Sequence, residues 1–401
     1  MIGRLISSGF WIGSGSIVQI AFFLILFNVA PLATVGEFLY IQGYGFILGQ
    51  LSCIGLHQLI PEKLARTVSQ EENYYIQSLF VVTVASFLLS IIIGFGFLEL
   101  PVFCFFLITW SIALKIYIRQ YLLHLGFGAV SIFIEVSIVP LLMIFYLIST
   151  FLFGTGLNYI VETYAFFSLI SLWALTVYSK GKIDTESEIN MRSLFVGFDS
   201  IRKSLVLVPV GLIRPIVNRA DGVLIAPLVG LEAAAVFGVA QKLTMLIGVL
   251  SSVANSTFFP SINRLVTTGS INGVSSILIR HFIFLALSCG GVVLFFYFFG
   301  DWVLGVMFKE GADRAADYII PLCVVHFLVS ISIPFNVFFV SIGRAFFVCS
   351  VIFFSAIIVS FFGILNDVGS INSILSMMII YSLIVYVFFL FAYYRCRVSY
   401  D

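Results

Sequence analysis

The stretch INSILSMMIIYSLIVYVFFLFAYY, residues 371–394, carries no charged side chain, and Arg395 and Arg397 follow directly behind it. A helix that crosses the hydrocarbon core of a bilayer needs about 20 apolar residues, so this run is long enough to span. Stretches of the same character occupy 5–29, 36–60, 75–97, 100–122, 127–150, 157–178, 204–226, 233–257, 275–299, 317–341 and 344–366. Continuous runs of this length predict helices, not the alternating ten-residue strands of a membrane barrel.

The composition agrees. Of 401 residues, 61% are apolar and only 10% charged, and the mean hydropathy is +1.16. A soluble chain is about a quarter charged, and one soluble core cannot enclose so many apolar side chains. Spans with their connections recur about every 33 residues, which predicts an all-α polytopic membrane protein of about 12 transmembrane helices. Little chain is left for a soluble catalytic domain, so an enzyme is not expected. A net charge of +1 provides no field to gather nucleic acid. Cys53, Cys104, Cys289, Cys323, Cys349 and Cys396 are scattered and read as small apolar side chains. The histidines at 57, 124, 281 and 326 are equally dispersed, so neither a metal site nor a cofactor is expected. The apolar run that follows Arg4 is too long for a cleavable signal and reads as an uncleaved first span.

Basic residues predict the orientation. Arg4, Lys63, Arg66, Lys115, Arg119, Lys180, Lys182, Arg192, Arg202, Lys203, Arg264, Arg280, Arg344, Arg395 and Arg397 fall at the termini and in the even-numbered loops. The odd loops hold only Lys309 and Arg314. Both termini are therefore expected in the cytoplasm. The longest polar segment, 179–203, reads as a cytoplasmic linker between an N-terminal six-helix half (1–178) and a C-terminal one (204–401). Laying 38–61 on 237–260 pairs Phe38 with Phe237, Gln42 with Gln241, Gly49 with Gly248 and Ser52 with Ser251, a faint internal repeat. Two bundles around a central cavity are the expected architecture. The segment 301–317 reads as an external interfacial helix anchored by Trp302.

Charge inside a span is costly, about 2.5–3.5 kcal/mol for an arginine at the centre on lenient scales. Arg214 falls near the middle of the seventh run, and helical spacing puts Arg214, Asn218 and Asp221 on one stripe. Two readings stand: an ion pair of Arg214 or Arg219 with Asp221, or a cationic site in a wet cavity. Gln241, Lys242 and Asn255 on the eighth run, Gln42 and His57 on the second and Gln19 on the first extend the polar set. Lys242 either joins that set or snorkels outward, and His57 reads more simply as a packed donor. Glu135 is the other acid within a span, either a proton carrier or an acid satisfied by a neighbouring helix. A few cations among apolar walls suit an anionic substrate with a lipid part.

VGEFLYIQGYGFILGQLSCIGLHQLIPEKLAR (35–66), its counterpart at 229–265, NRADGVLIAPLVG (218–230) and VMFKEGADRAADYIIPL (306–322) carry a resemblance. The chain resembles the polysaccharide-transporter branch of the multidrug/oligosaccharidyl-lipid/polysaccharide (MOP) exporter superfamily, specifically O-antigen flippases of the Wzx type. That resemblance implies twelve helices in two bundles and translocation of undecaprenyl-pyrophosphate-linked oligosaccharide from the cytoplasmic to the periplasmic leaflet of the bacterial inner membrane. It implies a lumen built from helices 1, 2, 7 and 8, into which Arg214, Arg219 and Lys242 fit by helix position. It names Asp221 as the nearest candidate for proton or sodium coupling, and leaves room for polysaccharide polymerase and chain-length partners. Two alternatives remain at this stage: a drug or cation antiporter of the same superfamily, and a membrane-embedded O-antigen polymerase or ligase.

Overall fold

A computed structural model describes residues 2–56, 68–96, 102–124, 127–153, 159–180, 218–267, 271–308, 312–342, 344–365 and 370–398, with 204–205, 208, 212 and 216 between. The described chain is helical throughout. In order, the helices are α1 (Ile2–Val29), α2 (Leu32–Ser52), α3 (Val68–Gly96), α4 (Val102–His124), α5 (Gly128–Phe153) and α6 (Ile160–Lys180). They continue with α7 (Asp221–Ile225, extended by Ala226–Leu228), α8 (Leu231–Thr267), α9 (Ile271–Met307), α10 (Ala312–Ser341), α11 (Ala345–Leu365) and α12 (Ile371–Val398). Among the described residues, eight helices are long and apolar enough to cross a membrane. The chain is a multi-pass membrane protein, built of helices as a hydrocarbon solvent requires.

The helices form two compact units, one of Met1–Ser16, Phe23–Tyr40 and Val217–Asp401, the other of Ile17–Phe22 and Ile41–Ile216. In the first unit α10 is central, packing on α8, α9, α11 and α12. Burial separates the core helices from the lipid-facing one: 67% of the α8 and α10 spans is buried, against 17% of α9. Accordingly α9 turns Leu287, Tyr297 and Phe298 outward. Asn28 at the end of α1 donates to Leu24 O at 2.8 Å and to Met307 O at 2.9 Å, tying α1 to the end of α9. In the second unit α4 is central and packs on α3, α5 and α6.

Several sequence expectations shift. The second run was expected to continue to 60, but α2 stops at Ser52, where Ile54 (φ 46°) and Gly55 (φ 71°) adopt the left-handed conformation that a helix cannot continue through. His57 lies outside the described residues. The segment 301–317 is not a separate interfacial helix: Asp301–Met307 completes α9, and the chain from Ala312 begins α10. Trp302 is an exposed residue of α9. Lys115 and Arg119, counted above with a loop, sit inside α4 within the span Phe103–Leu123.

The seventh helix departs from α geometry. Ala226 N–H donates to Asp221 O, an i→i+5 bond, and Asp221–Ile225 forms one π turn. Pro227 lacks the N–H that a regular continuation would use, which favours the departure here. Gly222 lies in this turn, where a Cβ would collide with the Leu39 carbonyl of α2. That contact brings backbone against backbone and leaves no side chain able to yield. Gly222→Val should therefore destabilise the protein by about 1–3 kcal/mol or more, read as a lowered unfolding temperature of purified protein in detergent, whereas Gly248→Ala, at a position with no neighbour within 4 Å, should leave it unchanged.

Candidate functional site

The π turn of α7 presents Asp221 to α8. Asp221 is 1% exposed, and its Oδ2 accepts from Lys242 Nζ at 2.6 Å. Its Oδ1 accepts from Gly222 N–H at 2.9 Å, and its own N–H donates to Gln241 Oε1 at 3.1 Å. Gln241 and Lys242 are both buried and adjacent on α8, so one helix face supplies an acceptor to the backbone and a cation to the side chain. Lys242 also lies 4.8 Å from the centroid of the Phe23 ring of α1, a cation–π contact. A Cβ at Gly238, one turn before Lys242, would stand 2.6 Å from Leu39 Cδ1 and 3.5 Å from Asp221 Oδ2, so the glycine keeps the pair's flank open. Arg219, half-buried two residues before Asp221, acts on Lys242 as a like charge. Two cations thus stand around one carboxylate.

This pairing differs from the expected one. Among the described residues the partner of Asp221 is Lys242, and Arg219 is not at ion-pair distance from it. Lys242 does not snorkel, being 3% exposed. Arg214 lies outside the described residues. Asn218 is half-buried at the start of the turn, and Gln19 is half-buried on α1. Asn255 is half-buried on α8, with its Oδ1 buried and lacking a hydrogen-bond donor among the described residues.

The second unit holds a cluster of the same composition. Arg119 Nη1 of α4 meets Glu135 Oε2 of α5 at 2.8 Å. Lys115, one turn before Arg119 and 4% exposed, feels the attraction of Glu135 and the repulsion of Arg119. Cys53, at the end of α2, donates its thiol to Ala113 O at 3.4 Å on the same helix. Nearby in sequence, buried Gln42 donates from Nε2 to Tyr164 Oη of α6 at 3.2 Å. Glu135 and Gln42 belonged to the expected polar set; Lys115 and Arg119 did not. Their sequence signal was the apolar run continuing past them to Leu123, with an i, i+4 pair of bases inside it.

Among the residues of the long helices and α7 whose side chains are described, the other acids, Glu37, Glu162, Glu232, Asp301 and Asp317, are exposed, and no group of described residues could hold a metal ion. Both shielded carboxylates are therefore engaged by a base.

No known protein family profile matches the chain, and no curated protein matches it in sequence. Solved structures do match in fold. An outward-facing multidrug-resistance MATE-family transporter of the MOP superfamily aligns with TM-score 0.66 and 14% identity, over 99% of this chain and 95% of that one. The crystal structure of MATE in complex with MaD5 aligns with TM-score 0.67 and 14% identity, over 99% and 96%. A MOP-superfamily transporter from Pyrococcus furiosus, described as having a binding pocket of reverse polarity that suggests a different function, aligns with TM-score 0.62 and 15% identity, over 99% and 95%. At this identity the likeness establishes the fold: this chain has the helical architecture of MOP-superfamily transporters along nearly its whole length.

A buried ion pair is strongly destabilised by removing one partner, by about 3–5 kcal/mol, because the other charge is left uncompensated. Asp221→Asn or Lys242→Met alone should cost that much in a thermal or denaturant unfolding measurement. The double variant Asp221→Asn/Lys242→Met should recover most of the loss.

Proposed function

We propose that this chain is an alternating-access flippase that moves lipid-linked oligosaccharide, carried on undecaprenyl pyrophosphate, from the cytoplasmic to the periplasmic leaflet of a bacterial inner membrane. The single observation that carries the reading is the charge balance within the helices: Asp221 and Glu135 are each held by a base, while Lys115 and Arg219 add positive charge beside them. A cation antiporter needs a carboxylate that can be vacated for its substrate. A diphosphate or an acidic sugar needs what this chain has, guanidinium and ammonium groups in a low-dielectric setting where charge-assisted hydrogen bonds are strong. The shared fold supplies the scaffold on which such transporters work, and the reverse-polarity pocket attributed to the Pyrococcus furiosus protein is a precedent within that fold.

In this proposal Arg219, together with Arg214, engages the anionic head of the substrate. The Asp221–Lys242 pair keeps the π turn in place and holds Lys242 fixed and charged beside it. Asn255 and Gln19 are proposed as hydrogen-bonding positions for sugar hydroxyls, and Asp221 and Glu135 as the groups through which an ion gradient would couple.

The test is genetic and chemical. Arg219→Ala should lower surface polysaccharide at least tenfold at unchanged protein level, while lipid-linked repeat units accumulate in the membrane and cationic-drug susceptibility stays constant. Loss of drug resistance with normal surface glycan would establish the cation antiporter instead. Orientation is tested separately: green fluorescent protein fused after residue 401 should fluoresce, and alkaline phosphatase inserted at 309–311 should be active, as cytoplasmic termini and an external ninth loop require.

A further inference from the structure

Where α10 ends, α11 begins and α12 reaches its last turns, Phe339, Arg344, Phe347, Ala392, Arg395 and Cys396 enclose a cavity of about 170 Å³. From this cavity we infer a binding site for the phosphate headgroup of an anionic phospholipid. The inference is independent of the substrate proposed above. One water needs about 10–15 Å³ of space of this kind, so the cavity has room for a phosphate-sized group.

The walls divide by chemistry. On the inner side, Phe339 and Phe347 lie 4.9 Å apart between ring centroids, and both pack against Phe389 of α12. At the mouth are two arginines. Arg344 is exposed, and its Nη1 donates to Cys396 Sγ at 3.1 Å. A thiol is a weak acceptor that leaves the guanidinium charge uncompensated. Among the described residues no carboxylate lies within ion-pair distance of Arg344. Its backbone is pinned at both ends, N–H donating to Phe339 O at 2.8 Å and O accepting from Val348 N–H at 3.3 Å. Arg344 thus caps α11, whose first amides have no intrahelical acceptor. Arg395 is positioned by stacking, 5.4 Å from the Phe391 ring.

Depth identifies the ligand as a lipid. The candidate spans Arg314–Val340 and Ile371–Cys396 both end here, so the cavity lies at a membrane boundary, the level of lipid phosphates. Immediately beside it, Phe346, Phe388 and Phe391 are exposed and provide the apolar surface along which acyl chains lie. Basic pockets between spanning helices on the cytoplasmic side bind acidic headgroups by this combination. A soluble phosphate would find the arginines but gain nothing from the phenylalanines.

The experiment uses the full chain in detergent, with bound lipid read by native mass spectrometry after adding phosphatidylglycerol or phosphatidylcholine. Wild type should retain phosphatidylglycerol in preference, and each of Arg344→Ala and Arg395→Ala should weaken that preference by about fivefold. Arg344→Lys should keep most of it, Arg344→Gln should lose it, and Arg314→Ala at the opposite end of α10 should behave as wild type. Millimolar inorganic phosphate should leave the lipid in place. Equal retention by wild type and the Arg344→Ala/Arg395→Ala double variant would overturn the site, and displacement by inorganic phosphate would overturn the lipid assignment. Melting curves in lipid-free detergent establish that the variants are folded; if the alanine variants melt early, the Lys–Gln comparison at Arg344 decides.

Discussion

In hydrocarbon an N–H or C=O without a partner costs several kcal/mol, so a spanning chain closes its hydrogen bonds within each helix. Almost everything described here obeys that constraint, and the main departure falls at α7. There a π turn, a close backbone approach at Gly222 and a buried ion pair coincide. The coincidence has a physical basis. Widening the helix by one residue per turn leaves backbone groups poorly matched, and the side chains of Asp221 and Gln241 take up the N–H groups of Gly222 and Asp221. Polar side chains that would be a liability against lipid become part of the backbone's own accounting.

The two units solve the problem of buried charge in the same way with unrelated parts. Each sets one carboxylate beside two bases, Asp221 with Lys242 and Arg219 in one unit, and Glu135 with Arg119 and Lys115, both on α4, in the other. The faint sequence repeat does not predict this. Gln42 and Gln241 correspond in the repeat, yet one donates to a tyrosine and the other accepts from a backbone amide. Gly49 packs tightly on Ile112, while its counterpart Gly248 has open space.

The all-helical architecture was legible because hydrocarbon thickness sets a minimum apolar length, which eight helices meet among the described residues. Helix ends were less so. Hydropathy reports where lipid begins, not where a helix stops, and α8 runs to Thr267 through polar residues well past the expected 257. The site was legible in its membership and not in its pairing. Asp221, Gln241 and Lys242 stand out as polar residues in apolar runs, but which base meets Asp221 depends on the π turn, and no periodicity reveals that. Lys115 and Arg119 were assigned to a loop because counting bases for topology presumes that bases avoid the membrane; here a glutamate on the next helix lets one of them stay.

A π turn is the trace of a single inserted residue in an α-helix. Removing one residue between 221 and 225 would turn the bond between Asp221 O and the Ala226 N–H into an ordinary i→i+4 one and abolish the widened turn. The Gly222 amide would then find its acceptor within the helix, and Asp221 would lose the N–H that now holds its Oδ1 beside Lys242. The length of this helix, counted to the single residue, is therefore as much a part of the charge arrangement as the identity of the acid and the base.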